Sequence, residues 1–128
     1  MELLFSQMTR DYRKIRAWQL ADELAINIYK ATVGFPKSEM FGLIAQMRRA
    51  AVSVAANIVE GATRQYQKEY VQFLHTAMGS LAELGYYIGL SQRIGYVAES
   101  DAEALTSLQE RTARTLRALM NCVEQSKV

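Results

Sequence analysis

The chain has 128 residues, of which 50% are apolar and 22% charged, with a formal net charge of +2, one proline and one cysteine. That length and apolar share suit one folded domain and exclude collagen-like, linker-like and intrinsically disordered chains. A single cysteine excludes an internal disulfide and a cysteine-cluster zinc site, and no run approaches the roughly 18 apolar residues of a membrane span.

In chain order, residues 1–13 carry Leu3, Leu4 and Phe5 but define no helical face, and are read as an N-terminal arm, frayed or docked on a neighbour. Residues 14–126 are read as the folded domain. The first helix is expected over about 15–33, with Trp18, Ala21, Ala25, Ile28, Tyr29 and Thr32 on its core face. Gly34-Phe35-Pro36 ends it, with glycine at the C-cap. Ser38 reads as the N-cap of a second helix over 38–61, with Glu39 in its first turn and Gly61 as the next break. A third helix follows over 66–93, its stripe formed by Tyr70, Phe73, Leu74, Ala77, Leu81, Leu84 and Ile88. After Gly95, Ser100 and Glu103 have capping-box spacing and open a fourth helix over 100–125, with Leu105, Leu108, Thr112, Leu116, Leu119 and Val123 in line. No segment alternates as a strand would. Four long helices, each with one seam and short connections, predict an all-α, antiparallel up-down-up-down four-helix bundle.

The second helix departs from that simple scheme. Its apolar residues, from Met40 to Val59, cover about half the helical wheel, wider than one core contact needs. Gln46, Arg49, Ser53, Asn57, Glu60 and Arg64 form a narrow polar stripe, while Arg48 falls inside the apolar half and must snorkel or find a carboxylate. On the third helix, His75, Gly79, Tyr86 and Leu90 lie opposite the core stripe, beside Glu83. Apolar and small residues on a second side predict a homo-oligomer meeting through helices two and three, with Glu83 pairing to Arg48 or Arg49 at or near the contact.

Residues for chemistry are scarce. His75, the only histidine, has no second His or Cys ligand at helical spacing, and reads as a partly exposed surface residue. Cys122 reads as a small, half-buried thiol. Glu60 and Glu83 are the carboxylates expected to be most sequestered, each with an arginine at hand, which favours structural ion pairing over acid–base work. Gly79 and Gly85 lie within a helix, so no phosphate-binding loop is present. No catalytic residue, metal site or cofactor is assigned. Arg111, Arg114 and Arg117 line the outward side of the fourth helix among Glu103, Glu110 and Glu124. A solvated face with a Glu110–Arg114 pair is favoured there, and an RNA- or DNA-binding stripe is the alternative. Stacking on bases would need an exposed aromatic beside those arginines, and none is evident.

The string from Phe35 to Leu43 (FPKSEMFGL), followed by Gln46-Met47-Arg48-Arg49-Ala50-Ala51-Val52-Ser53 and Asn57-Ile58-Val59-Glu60-Gly61, resembles the bacterial four helix bundle proteins, also known as 23S rRNA-intervening sequence proteins. Trp18, Glu23-Leu24 and Tyr29, and Gly79-Ser80-Leu81 with Glu83-Leu84, extend the resemblance from about residue 12 to 120. It implies a small cytosolic bundle without established enzymatic activity, whose relatives form five-subunit rings. It also implies kinship with accessory proteins of diversity-generating retroelements, which bind a reverse transcriptase and nucleic acid. The hallmark residues it brings are Gln46, Arg48, Arg49, Ser53, Asn57, Glu60, Gly61, Gly79, Ser80 and Glu83. The expected function is therefore a non-enzymatic, cytoplasmic scaffolding or binding module, with an accessory protein of nucleic acid or a polymerase as the alternative.

Overall fold

A computed structural model describes residues 10–126 of the chain. Leu3, Leu4 and Phe5 of the expected arm lie outside the described residues. The described remainder holds four α-helices and no strand: α1 (Arg16–Thr32), α2 (Leu43–Ala62), α3 (Gln67–Arg93) and α4 (Glu99–Gln125). Single 3-10 turns occupy Tyr12–Lys14 and Lys37–Glu39. Each long helix packs against two others: α1 on α2, α2 on α3, α3 on α4, and α4 back on α1, with no diagonal contact. The α2–α3 edge and the α1–α4 edge are thus opposite sides of a four-cornered bundle.

The core is one aliphatic column in which Leu20, Leu24, Ile28, Met47, Val54, Ile58, Leu74, Leu81, Leu84, Ile88, Leu116 and Met120 are fully buried. Burying such side chains contributes about 1.5–3 kcal/mol each, and this outweighs the weak strand and turn preferences of the β-branched residues among them. The α3 and α4 stripes match the expected ones, except that Phe73, Leu119 and Val123 sit at the edge and Met120 takes the core place. On α1 the buried line runs through Ala17, Leu20, Ala21, Leu24, Ile28 and Thr32, turned by about 60° from the expected face. Leu20 and Leu24 take the centre because they bury wholly. Trp18 is half-buried with its ring edge-on to Tyr12 at 4.9 Å, and Tyr29 is exposed.

The helix ends correct two expectations. Ser38 does not cap α2: residues 37–39 make a 3-10 turn instead, and the helix begins at Leu43. Its cap comes from Glu39, whose Oε1 accepts the Leu43 N–H at 3.1 Å, supplying one partner for the first-turn donors. The capping box at Ser100 and Glu103 is not made, because α4 already begins at Glu99, behind Ala98, without a side-chain cap. The break expected at Gly61 falls one residue on, with α2 ending at Ala62, and Gly61 itself is buried. A Cβ there would stand 2.8 Å from Phe73 Cβ and 3.0 Å from Tyr70 Cδ1, so glycine allows α2 and α3 to cross closely. Gly95 does end its helix, at a φ of 84°. Tyr96 N–H donates to Ser91 O and Gly95 N–H to Gln92 O, the Schellman pattern that a left-handed glycine permits.

Candidate functional site

On the α2–α3 side, the polar stripe becomes a short hydrogen-bonded chain. The Asn57 amide donates to the Ser53 carbonyl at 2.8 Å and to Ser53 Oγ at 3.0 Å, and the Ser53 and Ser80 hydroxyls meet at 2.8 Å across the two helices. With Asn57 donating to it, the Ser53 hydroxyl is free to donate onward to Ser80. Gln46 and Arg49 are exposed and bond each other, Nη1 to Oε1 at 3.2 Å. Gly79 faces outward, and a Cβ on it would meet nothing within 4 Å. Tyr86 is 59% exposed, so this side carries apolar area that the chain itself leaves uncovered. Val52, missed in the sequence, is 43% exposed one turn after Arg48, on the side of α2 toward α1.

Arg48 resolves its place in the apolar half without a carboxylate. Its Nε donates to Thr32 Oγ1 at 2.9 Å and its Nη2 to the Tyr29 carbonyl at 3.4 Å, while the guanidinium lies 4.6 Å from the Tyr29 ring centre. Thr32, fully buried, donates its own proton to the Ile28 carbonyl at 2.8 Å, so one hydroxyl serves as donor and acceptor at once. Tyr29 thus covers a cation instead of filling the core. Glu60 and Glu83 are both exposed, not sequestered. Glu60 pairs with Arg64 at 3.3 Å, and within one copy Glu83 takes neither Arg48 nor Arg49 among the described residues.

Arg10 and Arg64 gather at the α2–α3 turn. Arg10 donates to the Arg64 carbonyl and lies over the Tyr70 ring, and Arg64 lies over Phe73 at 4.8 Å. The tail of the expected arm therefore sits on the bundle. Burial pushes the Tyr70 phenol above its ordinary pKa, against the opposing charge of Arg10.

At the opposite end, the connection between α1 and α2 meets the turn between α3 and α4. Glu39 Oε2 accepts the Tyr96 hydroxyl at 2.9 Å, and the Phe35 and Tyr96 rings touch with centres 5.4 Å apart. The Leu43 amide, then the Tyr96 hydroxyl, hold the Glu39 carboxyl below its usual range, and the same bond raises the Tyr96 phenol. Phe41, in the same connection, is 95% exposed. Between α1 and α4 at this end opens a cleft of about 480 Å³, lined in part by Ala31, Tyr96, Val97, Ala104 and Leu105.

On α4, Arg111, Arg114 and Arg117 are all exposed, and the expected Glu110–Arg114 pair is not formed among the described residues. His75 is exposed, with Nε2 3.6 Å from Glu124 Oε1. Cys122 is exposed, not half-buried, because Met120 takes the inward position two residues earlier. Among the described residues no three His, Cys, Asp or Glu side chains gather as metal ligands, and no helix is long and apolar enough to cross a membrane.

A family model of 23S rRNA-intervening sequence proteins matches residues 13–118. A solved structure of a protein of unknown function from the S23 ribosomal protein family of Bacteroides thetaiotaomicron is similar at a TM-score of 0.73 and 22% identity, covering 81% of this chain and 97% of that one. At that identity the likeness is one of fold. No curated protein matches the chain.

Proposed function

The chain belongs to the 23S rRNA-intervening sequence protein family, and from that premise we propose that it is a non-enzymatic, cytoplasmic scaffolding module working as a homo-oligomer of antiparallel, up-down-up-down bundles. The chain's own contacts support the antiparallel course: Gly61 of α2 meets Tyr70 and Phe73 of α3, Ser53 meets Ser80, and Met47 meets Ser91, the numbers rising on one helix as they fall on the other. The observation that carries self-association is the α2–α3 side. Tyr86 stands uncovered there on α3, near the Ser53–Ser80 contact and beside a glycine whose outward face is open. A mid-helix glycine costs about 0.8–1 kcal/mol against alanine, and nothing within the single chain calls for Gly79; a second helix approaching closely would. The family resemblance points to a ring of five. Tyr86→Glu should convert a multimer to single chains in light scattering, and an unchanged multimeric mass would exclude this side.

A second reading rests on Arg111, Arg114 and Arg117, three exposed guanidiniums in one row without a carboxylate partner among the described residues. Repeated around an oligomer, they would bind RNA or DNA, alone or beside a reverse transcriptase, through phosphate contacts. That binding would weaken steeply with salt and with removal of Arg111 or Arg114. No binding at low salt would end this reading.

A further inference from the structure

We infer that the cleft between α1 and α4 binds a small zwitterion with an apolar body, of the class of a free amino acid such as leucine or phenylalanine. This site belongs to the single chain and goes beyond the scaffolding role proposed above. Asn27 and Ala31 stand one turn apart on α1, with Gly34 just past its end. Ala98, Asp101 and Leu105 follow one another at turn spacing from the start of α4. Ala31, Gly34, Ala98 and Ala104 put no bulk into this stretch of the seam, and a Cβ on Gly34 would meet only the Ala31 carbonyl, at 4.0 Å. About 480 Å³ therefore stays open, a volume in the range of small-molecule sites. Leu105, only 6% exposed, and the half-buried Ala31 and Val97 give it an apolar bed.

Two opposite charges overlook that bed. Lys30 lies in the last turn of α1 and Asp101 in the first turn of α4, each at the helix end whose dipole favours its sign. Both line the cleft, yet neither joins the ion pairs found among the described residues, which are Arg13–Asp11, Arg64–Glu60 and His75–Glu124. The half-buried Asn27 amide, on the same wall as Lys30, makes no side-chain hydrogen bond among the described residues either. A ligand of one charge would satisfy one group and be repelled by another: an anion meets Asp101 and Glu99, and a cation meets Lys30. A zwitterion matches both. Its ammonium donates to Asp101, its carboxylate accepts from Lys30 and Asn27, and its side chain lies on Leu105. In an α-amino acid the two charged groups sit on one carbon atom, a span suited to a lysine and an aspartate that share a cleft without pairing. The apolar side chain excludes water from both contacts and raises their worth above that of an exposed ion pair.

The test is calorimetric titration of the full chain with L-leucine and L-phenylalanine, with amide chemical shifts to map the site. Saturable binding, one per chain, is expected at millimolar concentration or below, with shifts at Ala31, Val97 and Ala104 and a melting temperature that rises with ligand. N-acetyl-L-leucine lacks the ammonium and L-leucinamide the carboxylate. Each should bind at least about tenfold more weakly, through the loss of one charge-assisted hydrogen bond. Lys30→Met should weaken leucine by a similar factor without weakening leucinamide, and Asp101→Asn should weaken leucine without weakening N-acetyl-leucine. Ala104→Leu, which fills the cleft from an exposed position, should abolish binding. No saturable binding of either amino acid at millimolar concentration overturns the inference, as does binding that Ala104→Leu leaves intact. Analogues that bind as tightly as leucine overturn recognition of both charges. A variant that weakens leucine and its paired analogue alike overturns the contact assigned to that residue. None of these readouts depends on native mass, so their failure leaves self-association standing.

Discussion

The Tyr96 hydroxyl donates to Glu39 Oε2 at 2.9 Å across 57 residues of chain, while the other oxygen of the same carboxylate accepts the Leu43 amide. One side chain therefore caps α2 and fastens the α1–α2 connection to the α3–α4 turn. The Glu39 pKa is depressed in the fold, so its contribution is complete above the ordinary glutamate value of about 4.3 and is lost as pH falls through the folded value. The Tyr96 pKa is raised, so the phenol's contribution is complete below about 10 and is lost as pH rises through its folded value. Tyr96→Phe should lower the melting temperature at pH 7. The gap from wild type should narrow at pH 3 and at pH 11, and a gap independent of pH would show that the bond is not the cause.

Gly61 and Gly79 predict opposite effects of one substitution. Gly61→Ala puts a methyl group into the backbone-close crossing of α2 and α3 and should destabilise the fold by about 1–3 kcal/mol in urea unfolding. Gly79→Ala meets open space within the chain and should stabilise the isolated bundle by about 0.8–1 kcal/mol through helix propensity. The same change should weaken self-association, visible as a lower mass in sedimentation. A Gly79→Ala protein that is both more stable and equally multimeric would place the contact elsewhere.

Arg48→Lys keeps the charge but removes the planar fork that reaches Thr32 Oγ1 while covering the Tyr29 ring. A loss of about 0.5–1.5 kcal/mol is expected. In a double-mutant cycle with Tyr29→Leu, Arg48→Lys should show coupling between the two residues, whereas Arg49→Lys should show none.

Gly95→Ala forces a Cβ onto a residue with φ of 84°. The Schellman turn should then cost about 1–2 kcal/mol more to form. Amide exchange should accelerate first at Gly95 and Tyr96, whose N–H groups make the turn's two bonds.

Much of the bundle was readable from spacing, because burial acts on whole helical faces. The stripe through Tyr70, Leu74, Ala77, Leu81, Leu84 and Ile88 is buried as expected, and three of the four helices begin within one residue of their expected starts. The failures have local causes. Ser38 has an N-cap's chemistry, but a 3-10 turn followed by Gly42 delays α2, and a glutamate four residues upstream of Leu43 does the capping. Tyr29 sits near the core face by angle, yet Arg48 comes to it from the neighbouring helix, and such a cross-helix partner has no signature in a single helical wheel. Arg48 itself was legible as a misplaced charge, though not its acceptor, since a threonine 16 residues away gives no sign that its hydroxyl will be turned toward it. The stripe of Ser53 and Asn57 was visible as polarity, but not its link to Ser80, which depends on how α2 and α3 cross at Gly61. Phe41 was read only as part of a motif, because its exposure is set by the connection around it.

The cyclic packing of the helices also bears on how the molecule is made. Three of its four seams join helices that follow each other along the chain, so they can form from nearby partners; only the α1–α4 seam must bring distant stretches together. Topologies dominated by short-range contacts fold within microseconds to milliseconds, far ahead of concentration-dependent subunit encounter. In the oligomer proposed above, newly synthesised copies would thus finish folding individually and meet afterwards, and dilution would slow that second event while leaving the first untouched.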